Sequence, residues 1–261
     1  MTRLKKLSLV SLALVCASAA LVARTPQQSS PSWTETTAQL DKAVLAEDAA
    51  GLKAARIACL RVVAAPAAGV RAPLARYAVA YVDWRLAFNS SVSDAEQSGA
   101  LDEAVAQLQQ AIKLDPKFAE ASALLSGVEG GKIAKNPDLG MTLGMESTML
   151  IQSANAQEPN NPRILLLHGD DAFHTPPEYG GSKQEAEALF RRALDEYDKE
   201  ALSKPWPTWG RFDAHAWLGQ ALADRKDTAG ARAEFNKALS IAPNSQWVKY
   251  VLLPQLGKGT E

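Results

Sequence analysis

Cysteine, histidine and aromatic residues are scarce in this 261-residue sequence: two, three and 7% respectively. Two cysteines cannot build a disulfide framework, and three histidines leave little for a multi-ligand zinc site. No surplus of either charge is present, since 28 basic and 29 acidic side chains give a formal net charge of −1. Nucleic-acid binding draws on a clustered positive excess, so nucleic acid is not an expected partner. Signatures of catalysis are missing as well, with no G-x-S-x-G elbow, no H-E-x-x-H helix and no P-loop. Strand-like alternation is absent, and the one apolar run, Ile164 to Leu167, lies inside a longer helical pattern. What the chain has is apolar residues (47%) at balanced charge, enough to bury a core and to argue against disorder.

The first residues read as an address. Arg3, Lys5 and Lys6 precede an apolar run from Leu7 to Cys16, and Ala17-Ser18-Ala19 follows. That order predicts a secretory signal over residues 1–19, with cleavage after Ala23 as the alternative. An uncleaved anchor is the competing reading, because Leu7 to Ala23 reaches the lower bound of a spanning helix, about 17 residues. Leu14-Val15 before Cys16 argues against a lipoprotein signal. Cleavage leaves Cys59 without an internal disulfide partner. Its neighbours Ile57, Leu60, Val62 and Val63 predict a buried small hydrophobe. Residues 24–32, rich in proline and polar side chains, read as a linker.

From Trp33 onward, 3.6-residue spacing dominates, and internal repeats appear. The clearest unit has His215-x2-Leu218-Gly219-x2-Leu222, then Ala231-x3-Phe235-x2-Ala238-x4-Pro243. Gly219 and Ala231 let two helices approach, Phe235 fills the space beside them, and Pro243 ends the second helix. The second-helix template recurs upstream as Ala104, Leu108, Ala111 and Pro116, and as Ser147, Ile151, Ala154 and Pro159. It recurs again as Ala186, Phe190 and Ala193, preceded by His168-Gly169 in the Leu-Gly slot. Leu125-Ser126 fills that slot in the second unit.

These residues resemble the tetratricopeptide repeat, whose signature runs W-x2-L-G-x2-Y, A-x3-F, P. His215 and Leu222 replace the two aromatics. The resemblance implies an all-α fold, an α-solenoid of antiparallel helix pairs with capping helices, over residues 33–256. Repeats fall at about 70–116, 117–159, 162–200 and 211–243. A divergent hairpin at 33–64 caps one end, and a helix at 245–256 caps the other with Trp247, Val248 and Val251. Motif starts at 104, 147, 186 and 231 lie further apart than the roughly 34 residues of a simple repeat. The surplus is assigned to loops at 134–138, 175–182 and 203–210, and a separate insertion at 89–99 is expected to divide the two helices of the first unit.

The segments NPRILLLHGDDAFHTPPEYGG, PTWG, AHAWLGQALAD and WVKYVLLPQL resemble an exported bacterial subgroup of these repeat proteins with a Gly-Gly loop. A second resemblance is to the soluble repeat subunit that accompanies some substrate-binding-protein-dependent transporters. Together they imply a periplasmic protein, or one held in the inner membrane by its N-terminus if the signal stays. The first functional expectation is a non-enzymatic scaffold binding a peptide or protein in the groove lined by the first helix of each pair. The second is a transport accessory holding a solute-binding protein or small ligand, and the third a hydrolase around His168 and His174. No catalytic residue, metal ligand set or cofactor is assigned, because His168 and His174 are six residues apart and point in different directions on a helix. Candidate groove residues are Arg163, Leu166, Asp170, Phe173 and His174 in the third unit, with Asp213 and Gln220 in the last. Trp206 and Trp209, in a proline-rich loop, are expected to fold back on the helices.

Overall fold

In the computed structural model, residues 32–65, 69–200 and 206–257 are described. The expected signal (1–19) and nearly all of the linker lie outside them. The described chain is a run of helical hairpins: α1 (Trp33–Leu45) with α2 (Ala49–Ala64), α3 (Ala72–Ala87) with α4 (Asp94–Leu114), and α5 (Ala119–Lys135) with α6 (Gly140–Gln157). Then come α7 (Pro162–His174) with α8 (Lys183–Lys199), and α9 (Arg211–Asp224) with α10 (Thr228–Ile241). Among the described residues there is no strand.

Local chemistry sets the helix starts. Ser32 and Glu35 form a reciprocal capping box on α1. Asp48, Ser93, Asn161, Ser182 and Asp227 each accept a backbone N–H at the start of α2, α4, α7, α8 and α10. Ser93 corrects one sequence expectation, since residues 94–99 are the first turns of α4 and not part of an inserted loop.

Within each hairpin, large and small side chains interlock. A Cβ added at Gly169 would lie 2.6 Å from the Phe190 ring, and one at Gly219 would lie 2.5 Å from Phe235. Each glycine thus makes the room its phenylalanine fills. In the second unit Ser126 stands in the glycine slot, and its Oγ lies 2.9 Å from that of Ser147 in the small-residue slot of the second helix, both buried. Leu108, Ile151, Phe190 and Phe235 are buried at the same place in successive second helices, as are Ala111, Ala154, Ala193 and Ala238. Leu218 is buried in the first helix of the last pair. His215, in a slot the family fills with an aromatic ring, faces the Glu234 carboxylate at 2.7 Å.

The array curls until its first hairpin meets its last segment. Glu47, in the α1–α2 turn, accepts Ser245 Oγ–H at 2.6 Å and the Gln246 backbone N–H at 3.1 Å. Its own backbone is left-handed (φ 53), a conformation an L side chain adopts at a cost. A glycine would suit that geometry but could not supply the carboxylate. After Trp247 the chain makes a π-type turn, Val248–Leu252, before Leu253–Gln255. This turn buries Val248 and Leu252 and leaves Val251 44% exposed. The expected cap face containing Val251 is therefore corrected to Leu252. Bonding across five residues shifts the buried side relative to an α-helical reading.

Candidate functional site

The inner face of the first helices, α3, α5, α7 and α9, is where the sequence places a groove. It is filled by the chain itself. Trp209 stacks on Tyr81 of α3 with centroids 4.5 Å apart and planes 19° apart. Trp206 sits edge-on to Tyr77 at 5.6 Å and to Trp33 at 5.8 Å. Asp41 of α1 accepts Trp206 Nε1–H at 3.2 Å and Thr208 Oγ–H at 2.8 Å, and Tyr197 donates to the Trp209 carbonyl at 3.0 Å. Both tryptophans are buried, packed inward against the helices. Beside them remains a space of about 120 Å³ lined by Asp41, Tyr81 and Phe212 among others, well below the roughly 300 Å³ at which ligand pockets begin.

This filling sorts the candidate groove residues into two groups. Arg163, Leu166 and Asp213 belong to the interior. Arg163 is fully buried, with Nε donating to Glu120 at 3.0 Å and Nη2 to Glu200 at 2.6 Å. Leu166 is buried and packs near Gly210, and Asp213 accepts Arg85 Nη1–H at 2.8 Å across the curled array. These three are corrected from partner contacts to structural residues, because their side chains are spent on the chain's own packing and ion pairs. Asp170, Phe173, His174 and Gln220 stand at the other end of the same helices, where the array opens. Asp170 and Gln220 are half-buried, Phe173 is buried and His174 is exposed.

At this rim the sequence reading missed the residues that complete the surface. Trp217 lies 4.9 Å from His174, perpendicular to it, and 5.7 Å from Phe173. Trp247 lies 5.2 Å from Trp217. The Lys183 ammonium sits 3.1 Å above the Phe173 ring centroid and 3.4 Å from Asp224. The result is an aromatic ladder across α7, α9 and the last turn, in which Trp217 and Trp247 keep half-exposed faces. A signal for Trp217 existed. It precedes Gly219 by two residues, which turns it away from the face that meets α10. Desolvation opposes the His174 imidazolium, but the Asp170 carboxylate, 3.2 Å from Nδ1, outweighs it and lifts its pKa above the ordinary value.

Elsewhere the chemistry is quiet. Burial, helped by the charge of Asp83, pushes the Cys59 thiol up to about 12, which makes it an inert hydrophobe. His168 is half-buried with its pKa lowered by desolvation. Among the described residues no group of three or more His, Cys, Asp or Glu side chains is placed to hold a metal. No helix among them is long and apolar enough to cross a membrane.

A curled stack of helical hairpins with an aromatic rim defines an α-solenoid of the protein-interaction class. Residues 97–125 match the family model described as TPR repeat, and residues 212–245 match the one described as tetratricopeptide repeat. The second match spans α9 and α10. Among solved structures the chain is similar to the HusA haemophore from Porphyromonas gingivalis, at 26% identity and a TM-score of 0.60, covering 72% of this chain and 90% of that one. It is also similar to a thermophilic TPR protein from Thermus thermophilus, at 16% identity and a TM-score of 0.58, covering 85% of this chain and 98% of that one. This second likeness is one of fold alone. No curated protein matches. The chain thus carries tetratricopeptide-type repeats at these two stretches.

Proposed function

We propose that this protein is a non-enzymatic interaction module of the bacterial cell envelope, exported by its N-terminal segment, and that it takes a protein or peptide partner at the open rim of its first-helix face. The observation that carries the reading is the half-exposed ladder of His174, Trp217 and Trp247. Large aromatic side chains left partly wet are the residue type that supplies most binding energy at protein interfaces. The filled interior supports a site at the rim, because a ligand inside would first have to expel Trp206 and Trp209. A photo-crosslinking side chain placed at Trp217 in intact cells, with mass spectrometry of the adducts, tests this. One recurrent protein partner, absent when the crosslinker sits at Arg192 on α8, supports the rim. Equal labelling from both positions refutes it. Reading the mature N-terminus from the same sample tests export.

A second reading is favoured by the likeness to a protein described as a haemophore. A planar macrocycle such as haem can stack on the exposed part of one indole, Trp217 or Trp247, whose planes are 61° apart, with His174 close by. Haem titration followed by its absorption band tests it. A band shift that His174→Ala and Trp217→Ser abolish supports this reading, and an unshifted band removes it.

A further inference from the structure

The second helices of this array turn their outer faces to water, and most carry charge there. Asp102 and Glu103 are exposed on α4, Arg191, Arg192 and Asp195 on α8, and Arg232 and Lys237 on α10. Helix α6 departs from this pattern. Its eighteen residues hold a single charge, Glu146, and its outward line is Met141, Met145 and Met149, which are 89%, 75% and 57% exposed. Apart from Met1, these are all the methionines of the chain. The core is built from alanine, leucine, valine and aromatics and uses no methionine. A side chain valued for filling gaps in cores is thus used only where there is nothing to fill.

The stripe is one side chain wide. Thr142, Glu146, Gln152 and Ser153 on the same helix are exposed polar residues. That narrowness suits a small ligand better than a protein face, and leucine would serve a protein face equally well. What methionine alone adds is a neutral, soft thioether sulfur. Soft sulfur ligands select Cu(I)-type cations over the hard cations that oxygen donors hold.

Helix geometry says how many sulfurs one ion can take. Residues four apart lie on one face with Cβ atoms about 6 Å apart, and three rotatable bonds let each pair of sulfurs close on a common point. Residues eight apart are separated by about 12 Å along the axis, too far for both to reach one ion. We propose that the α6 stripe is a binding site for a single soft monovalent cation of the Cu(I)/Ag(I) class, held by Met145 together with either Met141 or Met149.

The central methionine is therefore required, and the outer two substitute for each other. Ag(I), added as its nitrate to the full chain in chloride-free buffer, is the redox-inert probe. The readout is the NMR shift of methyl-labelled methionine. Saturation by one ion that moves the Met145 methyl is expected. Met145→Leu should weaken capture at least about tenfold, the scale on which even outer-shell changes at metal sites act. Met141→Leu or Met149→Leu alone should cost about twofold, the statistical weight of losing one of two equivalent pairs, and the two together should match Met145→Leu. All these positions are exposed, so the variants fold. Methyl resonances that stay put in excess Ag(I) overturn the proposal, as does binding that Met145→Leu leaves unchanged. Capture of a protein by the stripe without any Ag(I) effect overturns it in favour of an apolar docking line.

Discussion

Replacing Arg163 by methionine keeps most of the side-chain bulk and removes the guanidinium that ties α7 to both neighbours. Two carboxylates then lose Arg163 as a partner: Glu120 of α5, whose side chain is 8% exposed, and Glu200 beyond α8, whose side chain is 19% exposed. Glu120 retains the Asn161 amide donor at 2.7 Å, and water reaches Glu200 in part. The loss therefore falls at the lower end of the 3–5 kcal/mol typical of breaking a buried pair, about 3 kcal/mol. For a domain of this size each kcal/mol moves Tm by about 2–4 °C, so the midpoint should fall by roughly 6–12 °C. Thermal denaturation followed by far-ultraviolet circular dichroism measures it. Asp195→Ala, at an exposed side chain on α8, is the control and should move Tm little. Adding Glu120→Gln to Arg163→Met should recover part of the loss, because one orphaned charge is gone. A single variant within about 2 °C of the parent would refute the assignment of Arg163 as a structural hub.

Two further outcomes follow from buried groups. Burial first, and the nearby Glu146 charge second, push the Glu129 carboxyl up to about 7, against 4.5 when unperturbed. A carboxyl raised on folding contributes stability that is full below the unfolded value and lost as pH rises through about 7. Glu129→Gln should thus gain Tm over the parent at about pH 8 but not at about pH 5, and a gap independent of pH contradicts this. Trp209→Ala removes the ring stacked on Tyr81 in the interior and should cost about 3–5 kcal/mol, read from the urea midpoint. A loss under about 1 kcal/mol would mean that the loop is a loose cover and that the inner face is open to ligands.

The repeat skeleton was legible because its rules are local. Ala231, Phe235 and Ala238 stand at fixed steps along one helix, so the complement of small and large side chains survives in one dimension. The inner face was misread because what covers it comes from far away in sequence. Arg163, Leu166 and Asp213 carry the spacing of an open face, and nothing in that spacing reveals that Trp206 and Trp209 are pinned beneath by Asp41, more than 160 residues upstream. At the rim, His174 was found through its place on α7, whereas Trp217 and Trp247 became its neighbours only through stacking of separate units. The Val251 assignment failed for a different reason, because helical periodicity assumes 3.6 residues per turn and the closing turn has more.

A stack of repeats with loose ends peels from whichever end is weaker, unit by unit. Here Glu47 grips the final segment through Ser245 and Gln246, so neither end is loose. Peeling must begin by opening that buckle. The described array behaves like a bracelet more than a ladder: it stays whole until the fastening gives, and only then do its two end units have a neighbour on one side alone.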